Sequence, residues 1–304
     1  MSEIPPPLPK ARIDSFHKTL SNWGRFGERD QLGTLNLISA SKRRAAAGLV
    51  QSGRTVSCSR TLPTQPAEDN PRPVTHAMTS TGSEGMGSDY FAIAPHGMAT
   101  SHIDALCHIF DQDKLYNGYP TDTVTARGAL ELGIHELRHG VVSRGVLLDI
   151  PRARSVGYLE PGDPIYVADL ERAESDASLQ VEPGDILLVR TGRWKLRDER
   201  GPWNAGERIA GLDASCLPWL HERGVAALGC DGISDVLPSR IEGVPLPIHT
   251  VTIAVMGLHL IDNLDLEGLC DACSEENRWE FLLTIAPLVL FRGTASPVNP
   301  IALF

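Results

Sequence analysis

The sequence predicts an α/β fold in a single domain. Short apolar runs at 145–150, 185–190 and 225–229 are bounded by turn residues, which is typical of strands buried on both faces of a sheet. Helices are predicted at 167–173 and 214–223, between and after the first two runs. Because strands alternate with helices along the chain, the α/β class is favoured.

The chain begins with a segment that differs from the rest. Residues 1–20 are rich in proline and polar side chains, so we expect an N-terminal arm there, and residues 21–304 form the predicted domain. The first helix of the domain is predicted at 40–50, with Ser39 or Ser41 as its N-cap. No linker divides the remaining sequence, so one domain is the expectation.

Two further segments complete the prediction. Residues 61–81 mix Pro, Asn, Asp, Ser and Thr without periodicity, which predicts a long surface loop of the kind that often serves as a lid. The order of helix 214–223, then Gly224, then the apolar run 225–229 is typical of a helix that ends at glycine and leads into a strand.

Composition limits the partners. The net charge of -10 disfavours nucleic acid and anionic membrane surfaces, which both reward clustered Lys and Arg, so a small molecule is the expected partner. The longest apolar stretch, 285–291, is broken by Pro287 and is too short to span a membrane. No signal-like segment opens the chain, and a cytoplasmic location is expected. Cys270 and Cys273 form a C-x-x-C pair, and their spacing is explained if the two are neighbours on a helix, without a bound metal.

The most informative cluster is His102, Asp104 and His108. Two imidazoles and a carboxylate within seven residues offer metal ligands and a general acid or base, whereas the alternative is a set of hydrogen-bonded core histidines. On an extended backbone, His102 and Asp104 share one face at a Cα separation of roughly 7 Å. His108 reaches the same place only if the chain curls after Asp104, and we expect one helical turn there.

A second histidine motif points elsewhere. Residues 135–139 match the H-E-x-x-H pattern of zinc peptidases. Gly133 and Gly140 flank the motif and leave no long helix to hold it, so a solvated helix end is favoured over a peptidase site.

The cluster and its surroundings resemble the metal-dependent cyclase family, which includes kynurenine formamidases and isatin hydrolases. The run from His102 to His108 is similar to that family's His-x-Asp-x-x-x-His signature. Other segments follow in the family's order and resemble its longer members: 23–24, 30–36, 144–149, 184–192, 229–231, 247–249, 261–266 and 296–300.

The resemblance implies a fold and a ligand set. The fold is a mixed β-sheet or barrel-like core flanked by helices. The metal ligands are His102, Asp104 and His249. Relatives carry Glu where this chain has Asp262, and formamidases carry His where it has Met98, so one divalent ion, Mn or Zn, is expected rather than two.

Other polar and aromatic side chains are candidates for contacts around the site. His96 is a candidate for a contact with the substrate or with a ligand. Asp231 and Asp262 are candidates for the same kind of contact, although turn-capping is an alternative for Asp231. Aromatic side chains that could line a substrate pocket, or pack in the core instead, are Trp23, Phe26 and Tyr90.

The resulting hypothesis is a metal-dependent hydrolase that opens an amide, lactam or lactone bond of a small cyclic or aromatic molecule. The ion would lower the pKa of a bound water toward roughly 7 and polarise the carbonyl, while His108 carries the proton. The alternatives are a lyase or cyclase that acts through an enolate, and a family member that binds a small ligand without turnover. Because relatives are commonly oligomeric, a homodimer or homotetramer is expected.

Overall fold

The buried apolar runs pair at the centre of one large sheet. The structure, a computed structural model, describes residues 5–304. Strands of the described chain are β1 (Thr55–Ser57), β2 (Thr75–Ser80), β3 (Ser88–Ala92), β4 (His102–Asp104), β5 (Val124–Thr125), β6 (Gly128–Ala129), β7 (Val141–Asp149), β8 (Pro164–Ile165), β9 (Ile186–Arg190), β10 (Gly211–Leu212), β11 (Ala227–Cys230), β12 (His259–Asp262), β13 (Glu280–Ile285), β14 (Ala295–Pro297) and β15 (Ile301–Leu303).

Helices cover and connect these strands. They are α1 (Lys10–Thr19), α2 (Ala40–Ala47), α3 (Ile150–Arg154), α4 (Val167–Ala177), α5 (Arg193–Arg200), α6 (Leu217–Arg223), α7 (Pro247–His249) and α8 (Glu267–Glu276). Short 3₁₀ helices lie at Gly33–Leu37, Gly82–Glu84, Tyr116–Gly118, Thr121–Thr123, Ile134–Leu137 and Ala214–Cys216, and α7 continues into a π-helix at Thr250–Met256. Within residues 5–304, no helix has the length and apolarity that crossing a membrane requires.

The main sheet is mixed, which confirms the predicted α/β class. Among the described residues its strand order is β1-β15-β13-β7-β9-β11-β12-β4-β14. The four central strands β7, β9, β11 and β12 are parallel, and the strands outside them pair antiparallel. All residues of β9 and β11 are buried, as their continuous apolar runs predict, and those of β12 are buried as well.

Several predicted boundaries agree with the structure and others shift. Helix α2 begins after Ser39, whose side chain accepts a hydrogen bond from the Lys42 amide at 3.1 Å, but it ends at Ala47, earlier than predicted. Helix α6 ends at Gly224 with φ of 63°, as the helix–glycine–strand pattern indicates. The predicted loop 61–81 is only partly irregular, since its last residues form β2.

The N-terminal segment also has more structure than an arm. Residues 10–19 form α1, which buries Ile13 and Phe16, and Leu20 just after it is buried as well. Apolar side chains recurring three to four residues apart attach this helix to the domain. Residues 1–4 of the predicted arm lie outside the described residues.

The segment around Gly33 packs its backbone directly against the main domain. The Thr34 amide donates to the Gly257 carbonyl at 2.8 Å, and the Thr34 hydroxyl donates to the Ala226 carbonyl at 2.8 Å. A Cβ on Gly33, whose φ is +59°, would lie 1.8 Å from the Gly257 carbonyl oxygen. Only glycine fits here, and the close contact anchors the segment beside the start of β12.

Candidate metal centre

Side chains from three separate segments meet at one end of the sheet. His102 and Asp104 belong to β4, and Asp262 ends the neighbouring β12, opposite His102 in the strand register. His249 comes from α7. The connections that follow parallel strands at their carboxyl ends form binding sites in open α/β sheets, and this cluster occupies such a position.

Asp104 lies at the centre of the cluster. Its carboxylate is buried, and neither oxygen has a hydrogen-bond partner among the described residues. Imidazole nitrogens approach it nonetheless: His96 Nδ1 and His102 Nε2 lie 3.0 and 3.4 Å from Oδ1, and His249 Nε2 lies 3.8 Å from Oδ2. A buried carboxylate without donors is costly unless a cation compensates it.

Each imidazole has its outer nitrogen held by another group. His102 Nδ1 donates to the Thr100 carbonyl at 2.8 Å, and His96 Nε2 lies 3.0 Å from the Thr294 hydroxyl. A carbonyl can only accept, so it fixes the His102 tautomer with Nε2 free as an electron-pair donor. Imidazoles oriented in this way are typical of metal ligands.

His249 has the most strongly fixed ring. Its Nδ1 donates to Asp235 Oδ2 at 2.6 Å, and the same carboxylate accepts the backbone amides of Ile248 and His249 at 2.7 and 3.0 Å. The Nε2 atom then faces Asp262 Oδ2 at 3.2 Å. Asp235 therefore orients His249 toward the cluster.

The pKa shifts of the clustered side chains indicate an excess of negative charge at this site. Burial would lower the pKa of His249, but the carboxylates of Asp235 and Asp262 raise it well above its ordinary value. Burial likewise opposes the change at His102, where Asp104 raises the pKa. The imidazoles in turn hold the pKa of Asp104 well below its usual range despite its burial. Protons on these histidines supply positive charge beside the carboxylates, at the position where a metal cation would also be stable.

Two ligand groups fit a metal ion, and they share Asp104. One comprises His96, His102 and Asp104, and the other comprises Asp104, His249 and Asp262. Within each group the ligand atoms lie within 4.8 Å of one another. The predicted ligands His102, Asp104 and His249 are divided between the two groups, with Asp104 in both, His96 beside His102 and Asp262 beside His249. The nitrogen and oxygen donors suit Mn²⁺ or Zn²⁺.

His108 reaches the site by a route that differs from the predicted one. The segment after Asp104 forms a tight turn, in which the His108 amide donates to the Ala105 carbonyl at 2.9 Å, and the expected helical turn is wrong. The His108 ring stacks on His96 with centroids 3.7 Å apart. Burial lowers the pKa of His108 to about 4, so the ring is neutral at pH 7 and can accept a proton.

A cavity of about 380 Å³ opens over the cluster and has two unlike walls. The histidines and carboxylates form one wall, with His108 included. The other residues that line the cavity are Gly97, Met98, Gly206, Ile233, Leu237, Pro245 and Leu246. Met98, Ile233, Leu237 and Leu246 also belong to a small apolar cluster apart from the main core. A volume of this size suits a small organic molecule.

Several sequence candidates lie away from this cavity. Asp231 is buried and accepts the backbone amides of Thr191, Gly192 and Arg193 at 2.7 to 3.2 Å, so it caps the start of α5. This is the turn-capping alternative. Its position directly after a buried strand suggested a site residue, but its carboxylate is occupied by these backbone amides and by the Thr191 hydroxyl at 2.7 Å.

The aromatic candidates are also placed elsewhere. Trp23 is 40% exposed and donates its indole N–H to the Ala254 carbonyl at 2.9 Å. Phe26 packs with Arg25, whose guanidinium carbon lies 5.1 Å from the ring centroid. Tyr90 is 56% exposed on the hairpin of β2 and β3. None of the three lines the described cavity.

The remaining motifs are structural. His135 Nδ1 accepts the Arg292 amide at 3.2 Å, and the H-E-x-x-H segment forms only a short 3₁₀ helix, as its flanking glycines indicate. Cys270 and Cys273 are helical neighbours within α8. Burial raises the pKa of Cys107 to about 12, and the residue belongs to neither ligand group at the cluster.

The chain belongs to the Cyclase family. The family model described as "Putative cyclase" matches residues 49–235. A solved structure described as a novel cyclase is 31% identical, covers 95% of this chain and 99% of its own, and superposes with a TM-score of 0.87.

More distant solved structures share the fold. Isatin hydrolase A from Labrenzia aggregata, bound to benzyl benzoate, is 19% identical over 87% of this chain and 98% of its own, with a TM-score of 0.60. A "predicted metal-dependent hydrolase" from Bacillus stearothermophilus is 16% identical over 82% of this chain and 97% of its own, with a TM-score of 0.53. No curated protein sequence matches the chain.

Replacing Asp235 with Asn tests the orientation of His249. Asp235→Asn keeps the size of the side chain but removes the charge that holds His249 Nδ1, so metal affinity should fall by about 10- to 100-fold. Titration of metal into the metal-free protein by calorimetry measures this.

Asp149→Asn is the matched control, because Asp149 is also buried and pairs with Arg190 at 2.8 Å outside the cavity. Its metal affinity should equal that of the wild type. Equal affinity for Asp235→Asn and the wild type would contradict the orienting role of Asp235.

Proposed function

We propose that this protein is a metal-dependent hydrolase that opens an amide, lactam or lactone bond of a small cyclic or aromatic substrate. The observation that carries the proposal is the buried Asp104 carboxylate, which lacks hydrogen-bond donors while three oriented imidazoles face it. Members of the same fold include isatin hydrolases, but a fold alone does not define an activity, so the proposal depends on the site.

The proposed ligand set is His102, Asp104 and His249, holding one Mn or Zn ion. A divalent ion bound there would supply Lewis acidity, which lowers the pKa of water and polarises a carbonyl group. Asp104 and Asp262 carry two negative charges, which balance those of a single dication. His96 and Asp262 lie beside the set and offer further donors.

The role proposed for His108 is to move a proton between water and the leaving group. The ring lines the cavity and is neutral at pH 7, because burial lowers its pKa to about 4. It is therefore in the form that accepts a proton from an attacking water. In the next step it can return that proton to the departing nitrogen or oxygen.

The apolar wall supports a substrate with a ring or another compact apolar part. Met98, Ile233 and Leu246 offer contacts that a hydrocarbon surface fills, while the histidine wall is left for the carbonyl group. Met98 stands where formamidases carry a ligand histidine, so this chain uses the position for the apolar wall. An aryl lactam or lactone has this division between an apolar ring and a reactive carbonyl.

We also propose that the chain forms a homodimer or homotetramer and works in the cytoplasm. The β2–β3 hairpin exposes Tyr90 and Phe91, and a separate apolar stretch is exposed at 288–291. Exposed apolar side chains grouped in this way are typical of interaction surfaces.

No disulfide forms among the six cysteines, all of which lie within residues 5–304, and this suits a reducing compartment.

The first test combines metal content with turnover. Metal analysis should find a divalent ion in the wild type and none in His102→Ala or Asp104→Ala, with circular dichroism showing all three folded. The wild type should hydrolyse a member of a panel of N-formyl aryl amines, isatin-like lactams and lactones, and a product formed in ¹⁸O-water should contain the label.

Each of the other outcomes has a distinct meaning. A product without ¹⁸O would replace hydrolysis by the lyase or cyclase reaction. Tight binding of a panel member without any product would favour a ligand-binding protein. A wild type that retains no metal would remove the basis of the proposal.

His108→Ala tests the proton carrier. Turnover should fall by about 10²- to 10⁴-fold, the contribution of general acid–base catalysis, while metal content stays at the wild-type value. The matched control is His139→Ala, because His139 is exposed and belongs to the unused H-E-x-x-H segment. Wild-type turnover in His108→Ala would show that another group moves the proton.

Sedimentation equilibrium tests the assembly. The wild type should sediment as a dimer or tetramer, and the double substitution Tyr90→Ser with Phe91→Ser should shift the mass toward the monomer, because it removes apolar surface from the hairpin. Thr79→Ser, on the same hairpin, should leave the mass unchanged. A monomeric wild type would contradict the proposed assembly.

A further inference from the structure

A buried arginine that the proposed reaction does not use lies next to the metal cluster. Arg193 begins α5 and is 2% exposed. Its Nη1 donates to Asn263 Oδ1 at 2.5 Å, and its Nη2 donates to the Met98 carbonyl. Asp69 Oδ2 lies 3.7 Å away and supplies a counter-charge. A fully buried guanidinium is expensive, so its contacts deserve a structural explanation.

Asn263 connects this arginine to further backbone carbonyl groups. Its side-chain amide donates to the Gly97 carbonyl at 2.8 Å and to the Thr100 carbonyl at 3.3 Å. Its own backbone carbonyl accepts the Ser101 hydroxyl at 2.7 Å. Between them, the two side chains bind carbonyl groups along the irregular segment 97–100.

This segment leads directly into the metal-ligand strand. The Thr100 carbonyl that accepts from Asn263 also accepts from His102 Nδ1. A continuous path of hydrogen bonds thus runs from Arg193 through Asn263 and Thr100 to the outer nitrogen of His102. The segment has no regular secondary structure, so these contacts set the position of the carbonyl.

We propose that Arg193 is a positioning residue for the metal site, acting with Asn263 to hold the Thr100 carbonyl where it keeps His102 Nε2 free and directed at the ion. The inference rests on the proposed function only in requiring that the cluster bind a metal. It predicts that Arg193 governs metal affinity without being a ligand.

The alternative is a purely structural role, in which Arg193 contributes to folding and nothing else. Arg197 separates the two roles. It lies one turn further along α5 and binds the same Asp69, at 2.5 Å from Nε and 3.0 Å from Nη2. None of its hydrogen bonds reaches the segment 97–100. Loss of the Asp69 contact alone is therefore measured by Arg197→Met.

The experiment measures metal binding and stability in parallel. Metal-free wild type, Arg193→Met, Arg193→Lys and Arg197→Met are titrated with Mn²⁺ and with Zn²⁺ by calorimetry, and each is unfolded in urea. Arg193→Met should bind either ion about 10- to 100-fold more weakly, the usual effect of losing a group that orients a ligand. Arg193→Lys keeps the charge without the two-pronged geometry and should fall between it and the wild type. Arg197→Met should bind as the wild type does.

A spectroscopic readout tests the same path. In ¹⁵N-correlated spectra of the metal-free protein, recorded at a pH high enough for the His102 ring to be neutral, His102 should show a proton on Nδ1 in the wild type and in Arg197→Met, and a mixture of tautomers in Arg193→Lys. If Arg193→Met does not fold, Asn263→Ser takes its place, since it removes the amide donors to Gly97 and Thr100 while leaving Arg193, and it should weaken metal binding in the same way.

Wild-type affinity in folded Arg193→Met, or in folded Asn263→Ser where it is the replacement, would overturn the inference. Equal weakening in Arg197→Met would overturn it too, since Asp69 would then be the cause. A wild type that binds neither ion would contradict the proposed function instead, so the two failures are distinguishable.

Discussion

The site depends on one buried charge, the carboxylate of Asp104, whose oxygens have no hydrogen-bond partner among the described residues. Burying an ion without a partner costs far more than any single hydrogen bond returns, so native proteins compensate such charges with a counter-charge or a metal. Here the neighbours are imidazoles whose free nitrogens face the carboxylate, together with a second carboxylate on Asp262. This arrangement is stable when a cation joins it. The surrounding contacts hold the ligand side chains in the orientation that binds this cation.

The sheet topology explains how residues so distant in sequence meet. Strands β4 and β12 are antiparallel neighbours, with Asp262 directly opposite His102. This pairing brings the carboxylates of Asp104, on β4, and Asp262, on β12, to one end of the sheet. The turn after β11 adds Asp235, which fixes His249 from α7, and the turn after β9 adds Arg193. Asp262, Asp235 and Arg193 lie at or after the carboxyl ends of parallel strands, whereas His102 and Asp104 belong to the antiparallel β4.

Local patterns predicted a large part of this structure, and long-range contacts account for what they missed. The central strands and the pairing of His102 with Asp104 on one face follow from apolar runs and strand periodicity. The turn before His108 could not be predicted, because Ala105 and Leu106 favour a helix and only tertiary packing prevents it. Asp231 and Asp235 look alike in sequence, four residues apart after a buried strand. One faces backbone amides and the other faces an imidazole, a difference that only the three-dimensional neighbours determine.

The stacking of His96 on His108 explains how similar side chains take different roles. Two imidazolium ions stacked in parallel at 3.7 Å would repel each other strongly, so the pair favours at most one positive charge. His96 directs Nδ1 at Asp104 Oδ1 at 3.0 Å, so this ring is committed to the carboxylate and to a metal ion beside it. His108 has no comparable carboxylate contact, and burial together with the nearby histidines lowers its pKa more than Asp104 raises it, which keeps the ring neutral. The ring further from the carboxylate is therefore the one left with a lone pair, which suits it to exchange protons with a substrate in the cavity.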